Sequence, residues 1–140
     1  MVNNSELVKV RFLFDQVQKK QEYCDKLRSM VESPQSIRIK DDKVQTDHDI
    51  HRFERIMSEL ADEERDLQDL QNKYFDYQIG VIKKIGKLDN DLQRIVLHNH
   101  YIDYKKLTDI SEELSYSYDH IRRTHRKALE SYAKLDHESI

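Results

Sequence analysis

Apolar residues recur along this chain in alternating steps of three and four, the spacing of a helical seam and not of a strand. From Ser5 to Glu32 the register is held by Leu7, Val10, Phe14, Val17, Gln21, Cys24, Arg28 and Val31, a heptad row with two polar interruptions at Gln21 and Arg28. Leu13, Leu27 and Met30 form a second row that widens the stripe. Ser33-Pro34 ends this helix, because proline disfavours helical geometry in the residue before it. The stretch 35–46 is polar, contains Asp41-Asp42 and shows no period, so 33–46 is expected to be a mobile linker.

The next helix is expected from about Asp47 to Lys87, with Thr46 or Asp47 able to cap its start. Its seam reads Ile50, Phe53, Met57, Leu60, Glu64, Leu67, Gln71, Tyr74, Gln78, Val81, Ile85 and Leu88. At about 1.5 Å per residue such a rod is roughly 60 Å long, more than the first helix and a small domain can cover. A partner chain is therefore expected, with a homo-oligomer, a dimer above all, held through Val10, Phe14, Val17, Phe53, Met57, Leu60, Leu67, Tyr74 and Val81. An internal antiparallel hairpin is the competing use of the same seam. The polar seam positions Gln21, Arg28, Glu64, Gln71 and Gln78 would set register or partner number, or lie in water at helix ends. Gly80 and Gly86 each weaken a helix interior by roughly 1 kcal/mol relative to alanine, and predict that the rod bends or ends between them.

The stretch from Leu88 to Leu135 carries a different layout. Leu107, Ile110 and Leu114 lie on one face of a short helix ending near Leu114. Ser115-Tyr116 breaks the pattern, Ser117 is a favourable N-cap, and Asp119 places a negative charge in the first turn of the helix that follows. The buried side of that second helix continues from Ile121 through His125 or Ala128, Leu129, Tyr132 and Leu135. Its remaining surface holds Tyr118, Asp119, His120, Arg122, Arg123, Arg126 and Lys127. Two helices joined by a turn of about three residues, the second one basic, match the geometry that seats a recognition helix in the major groove of double-stranded DNA.

These residues resemble region 4 of bacterial sigma factors and the ArpU-like and RinA-like late-gene transcription regulators of phages. In that family an apolar helix ends in a tyrosine, here Leu92, Ile95, Val96, Leu97 and Tyr101. A Glu-Ile-Ala-type helix follows, here Asp109-Ile110-Ser111, and then a Leu-Gly-x-Ser turn, here Leu114-Ser115-Tyr116-Ser117. An Ile or Val and an Ala-Leu pair complete the pattern, here Ile121 and Ala128-Leu129. Ser115 departs from it by replacing the turn glycine, whose left-handed conformation costs another residue on the order of 1 kcal/mol. The match covers roughly the last third of the chain, and the longer layout resembles small proteins of Gram-positive phages more than a sigma factor. The resemblance implies a DNA-binding transcription regulator, and RNA polymerase as a second contact, since sigma region 4 touches both.

In this reading the helix opening at Ser117 presents Tyr118, Asp119, His120 and Arg122 to base edges. Arg123, Arg126 and Lys127 hold phosphates, with Lys105 and Lys106 as further phosphate ligands. A competing expectation is a coiled-coil adaptor that binds RNA polymerase or another phage protein and never touches DNA.

Composition narrows the class. With 37% hydrophobic and 36% charged residues, two glycines and one proline, the 140-residue chain has little material for a broad core and few places for turns. The expected fold is all-α: a long antiparallel hairpin or coiled coil over 1–87, then a three-helix module with the helix-turn-helix over 88–140. The net charge of −3 masks a segregation: Ser117 to Leu135 holds five Lys or Arg against two acids, whereas Glu59 to Asp69 holds six acids and one arginine. No apolar run approaches the roughly 20 residues of a membrane span and no leader opens the chain, so a cytoplasmic location, in a bacterial host cell, is expected. The lone Cys24 demands no oxidising compartment. His98 and His100, His48 and His51, and His120 and His125 lack the cysteine and histidine spacing of a zinc site, and His125 falls at a core position. No phosphate loop, nucleophile elbow or His-Glu-x-x-His is present, so neither enzyme chemistry nor a cofactor is expected.

Overall fold

The computed structural model describes residues 5–32 and 47–138, and the described residues are all-α. The chain forms α1 (Ser5–Glu32), α2 (Asp47–Ile85), α3 (Asp91–Leu97), α4 (Leu107–Leu114) and α5 (Tyr118–Glu138), with a π-helical turn, His98–Ile102, extending α3. The linker expected at 33–46 and the Thr46 cap lie outside the described residues. The residues fall into two compact units: Asp15–Asn72 in one, and in the other the start of α1 up to Phe14 together with everything from Lys73 onward.

In the unit 15–72, α1 and α2 share a narrow seam of Val17, Cys24 and Leu27 with Leu60 and Leu67, all buried. Acids and bases line its edges, Lys20 Nζ to Glu63 at 2.7 Å and Arg28 to Glu64 at 3.0 Å. The register differs in detail from the expected heptads. Leu27, from the second row, is buried where Arg28 was placed, because the guanidinium reaches outward to Asp25 and Glu64. Met57 is 43% exposed and Ile50 is 42% exposed, while Phe53 and Ile56 are half-buried. Burial raises the Cys24 thiol above its ordinary pKa, which keeps it a small apolar packing group at neutral pH.

In the other unit, Leu7, Val10 and Leu13 of α1 and Tyr74, Val81 and Ile85 of α2 are buried, with Leu13 rather than Phe14 the more enclosed of that adjacent pair. Phe14 instead turns its ring to Tyr74 and Tyr104, at centroid distances of 5.9 and 4.5 Å. The helices run antiparallel, with the Lys84 ammonium 2.9 Å from the Glu6 carboxylate. α2 passes through Gly80 as an unbroken helix and stops at Ile85, just before Gly86. The Asn90 side chain accepts from the Gln93 N–H and starts α3. Val96, Ile110 and Ile121, one each from α3, α4 and α5, are fully buried against one another, with Leu92, Leu107 and Leu114 packed around them.

Candidate nucleic-acid interface

The three residues 115–117 join α4 to α5, and the chemistry of each end fixes the turn. Ser115 takes the left-handed conformation, φ 60° and ψ 37°, at the position expected for a glycine. Its N–H donates to the Glu112 carbonyl at 3.3 Å and the Tyr116 N–H donates to the Ser111 carbonyl at 3.0 Å, the paired bonds that close a helix of this kind. The Ser117 hydroxyl then accepts from the His120 N–H at 3.1 Å, capping α5 as its sequence position suggests. Inside, the Ser111 and Thr124 hydroxyls donate to carbonyls of their own helices, at 2.7 and 2.8 Å, so these two buried polar groups are satisfied.

α5 buries Ile121, Thr124, Ala128 and Tyr132, with His125, Leu129 and Leu135 half-buried beside them. Thr124 is an addition to the buried side read from the sequence; its methyl packs while its hydroxyl bonds the preceding turn. The remaining circumference carries Tyr118, Asp119, His120, Arg122, Arg123, Arg126 and Lys127, and every one of them is exposed. The cations are held loosely: Arg122 lies 3.6 Å from Asp119 across two exposed side chains, and Arg123 Nε donates to the Asp119 carbonyl at 3.3 Å. Lys106 is exposed at the start of α4. Lys105 is engaged, its ammonium 2.9 Å from Glu113, and that hydrogen bond raises its pKa. Glu113 takes up one of the three N–H donors of the Lys105 ammonium.

His125 is a packed histidine, as expected. Tyr101 Oη lies 2.8 Å from its Nε2, the two rings stack, and the His100 ring stands edge-on to it at 5.1 Å. Burial, helped by the neighbouring His100, lowers its pKa to about 4, so it is neutral at pH 7. No group of three metal-ligating side chains occurs among the described residues.

Two features were not read from the sequence. Tyr116 is 46% exposed and stacks on His120 at 4.9 Å, which adds an aromatic plate to the tip of α5; Tyr116 lies in the turn before the helix, so helical spacing does not mark the pair. Tyr104 has φ 60°, and this left-handed turn swings its ring to Phe14, beneath Arg11 at 4.8 Å, with its hydroxyl 3.0 Å from that of Tyr74. Of the residues expected to join copies of the chain, Val10, Val17, Leu60, Leu67, Tyr74 and Val81 are buried within the single chain, Phe14 and Phe53 are half-buried, and Met57 is exposed.

No known protein family, curated protein or solved structure matches this chain.

Proposed function

We propose that this chain is a sequence-specific DNA-binding transcription regulator of phage or prophage type, reading the major groove with α5 as the second helix of a helix-turn-helix. The observation that carries the reading is the division of α5. One side is closed by the core of α3 and α4, and the other offers Arg122, Arg123, Arg126 and Lys127, all exposed, beside Tyr118 and His120. The first ten residues of this helix hold these four cations against a single acid, Asp119, and the start of a capped helix adds its own positive end to the field that meets a phosphate. Tyr118, Asp119, His120 and Arg122, in the first turns, fit base contacts; Arg123, Arg126 and Lys127 fit phosphate contacts. Pairing of two copies would set two such helices on two half-sites.

The test is fluorescence anisotropy with duplexes tiled across intergenic DNA at two salt concentrations. Arg122→Ala is expected to cost about 1–3 kcal/mol and to blur sequence preference, and Arg126→Ala to weaken binding to every sequence while flattening the salt slope. An absence of binding at low salt, with the helices intact by circular dichroism, overturns this reading.

A second reading has its own support in the acids of α4. Asp109, Glu112 and Glu113 are exposed, and Glu113 already holds Lys105, so this surface suits a basic protein such as a polymerase subunit better than a phosphate backbone. Retention of purified RNA polymerase by the chain without DNA, lost in Glu112→Lys, would favour the adaptor role.

A further inference from the structure

The last turns of α2 bury Tyr74, Val81 and Ile85 on one side and leave an apolar row on another. Phe75, Ile79 and Ile82 are 54, 50 and 37% exposed. Spaced i, i+4 and i+7, they stand in line along a continuous helix. Exposed apolar side chains scattered singly are ordinary on a protein surface, whereas a contiguous row on a rigid element marks a contact. Gly80 interrupts nothing here, since a Cβ added at that position meets no atom within 4 Å.

Charge specifies what the row fits. Asp76 and Lys83 are exposed, lie seven residues apart along the same edge of the row, and neither makes an ion pair among the described residues. Their midpoint falls between Ile79 and Gly80, close to the middle of the apolar row. A pattern with opposite charges placed evenly about its own centre is complementary to itself when reversed. In an antiparallel helix pair like edges face each other, so Asp76 of one helix meets Lys83 of the other, and the reciprocal pair repeats the contact. A parallel pair in register would set this edge against the opposite edge of the partner helix, and Asp76 and Lys83 would not meet their complements.

We propose that a second copy of this chain docks on this face, α2 against α2, antiparallel about a two-fold axis near Ile79 and Gly80. Ile79 then packs beside Ile82 of the second copy, and Phe75 closes each end of the apolar strip. Six of the nine seam residues expected to join copies are buried within the chain, and this outward row takes over that task. The inference rests on the reading that the chain pairs with itself and is independent of its binding DNA.

Sedimentation velocity of the full chain without DNA, over a concentration series in the micromolar range, tests it. Wild type is expected to sediment as a dimer. Ile79→Glu should give a monomer. Asp76→Lys and Lys83→Asp should each weaken the dimer by about tenfold or more, and the double variant Asp76→Lys/Lys83→Asp should recover it. All three positions are exposed, and circular dichroism checks that each variant keeps its helices. A wild type that stays monomeric across the series overturns the proposal, as does an oligomer indifferent to Ile79→Glu. A dimer weakened by both single charge changes but not recovered by the double variant overturns the antiparallel arrangement. Failure of DNA binding would show in the anisotropy experiment alone and leave this result standing.

Discussion

Ser115 sits in left-handed backbone, φ 60°, at the end of α4. For a residue with a Cβ that conformation costs on the order of 1 kcal/mol. Ser115→Gly is therefore expected to raise stability by about 1 kcal/mol in urea melts without moving the helix content. His125 makes a second residue-scale case, through pH. Its folded pKa is lowered to about 4 from an ordinary 6.5. The unfolded chain therefore binds the proton more readily between those values, and stability is full above about 6.5 and lost as pH falls toward 4. Thermal melts should show the midpoint falling through that window, and falling less in His125→Gln, which cannot charge. A wild-type midpoint that holds steady from pH 7 to 4.5 would mean the histidine is not enclosed as described.

At the scale of elements, α2 contains Gly80 in mid-helix with open space around it. Gly80→Ala is expected to stabilise the chain by about 1 kcal/mol, read as a raised denaturation midpoint. How much of these elements the sequence displays depends on whether a local rule or a distant contact decides each one. The cap at Ser117 and the limits of α4 follow from side chains acting on their own turns, and they are legible. The π-helical turn at His98–Ile102 is not, since its residues would suit an α-helix equally and the wider bonds, such as Asp103 N–H to the His98 carbonyl, follow from packing. Tyr104 is similarly hidden, because its positive φ is sustained by ring contacts with residues far away in sequence. The choice between Leu13 and Phe14, adjacent on the helix and both apolar, is made by Tyr74 and Tyr104, which no periodicity reports.

For the molecule as a whole, net charge is a poor guide, since the chain carries −3 while α5 presents a basic side. If that side meets DNA through Arg122, Arg123, Arg126 and Lys127, the logarithm of affinity should fall with the logarithm of salt at a slope on the order of −3 to −4 per module. A titration across salt checks this. A slope near zero would remove phosphate contacts from the account. The exposed cations and the basic balance were visible in the sequence. The ion pair that occupies Lys105 was not, because Glu113 is eight residues away and reaches it only once α4 has formed.

The hydrogen bond from Tyr132 to Glu6, 2.8 Å long, joins the first turn of α1 to α5, 126 residues further on. Lys84 completes the arrangement, paired with Glu6 and lying over the Tyr132 ring at 4.6 Å. During synthesis this closure has to wait: the start of α1 emerges first, and its partner on α5 follows only 126 residues later. Until then the nascent chain lacks one helix of this compact unit, and the emergence of α5 becomes the step that lets Glu6 and Tyr132 lock together.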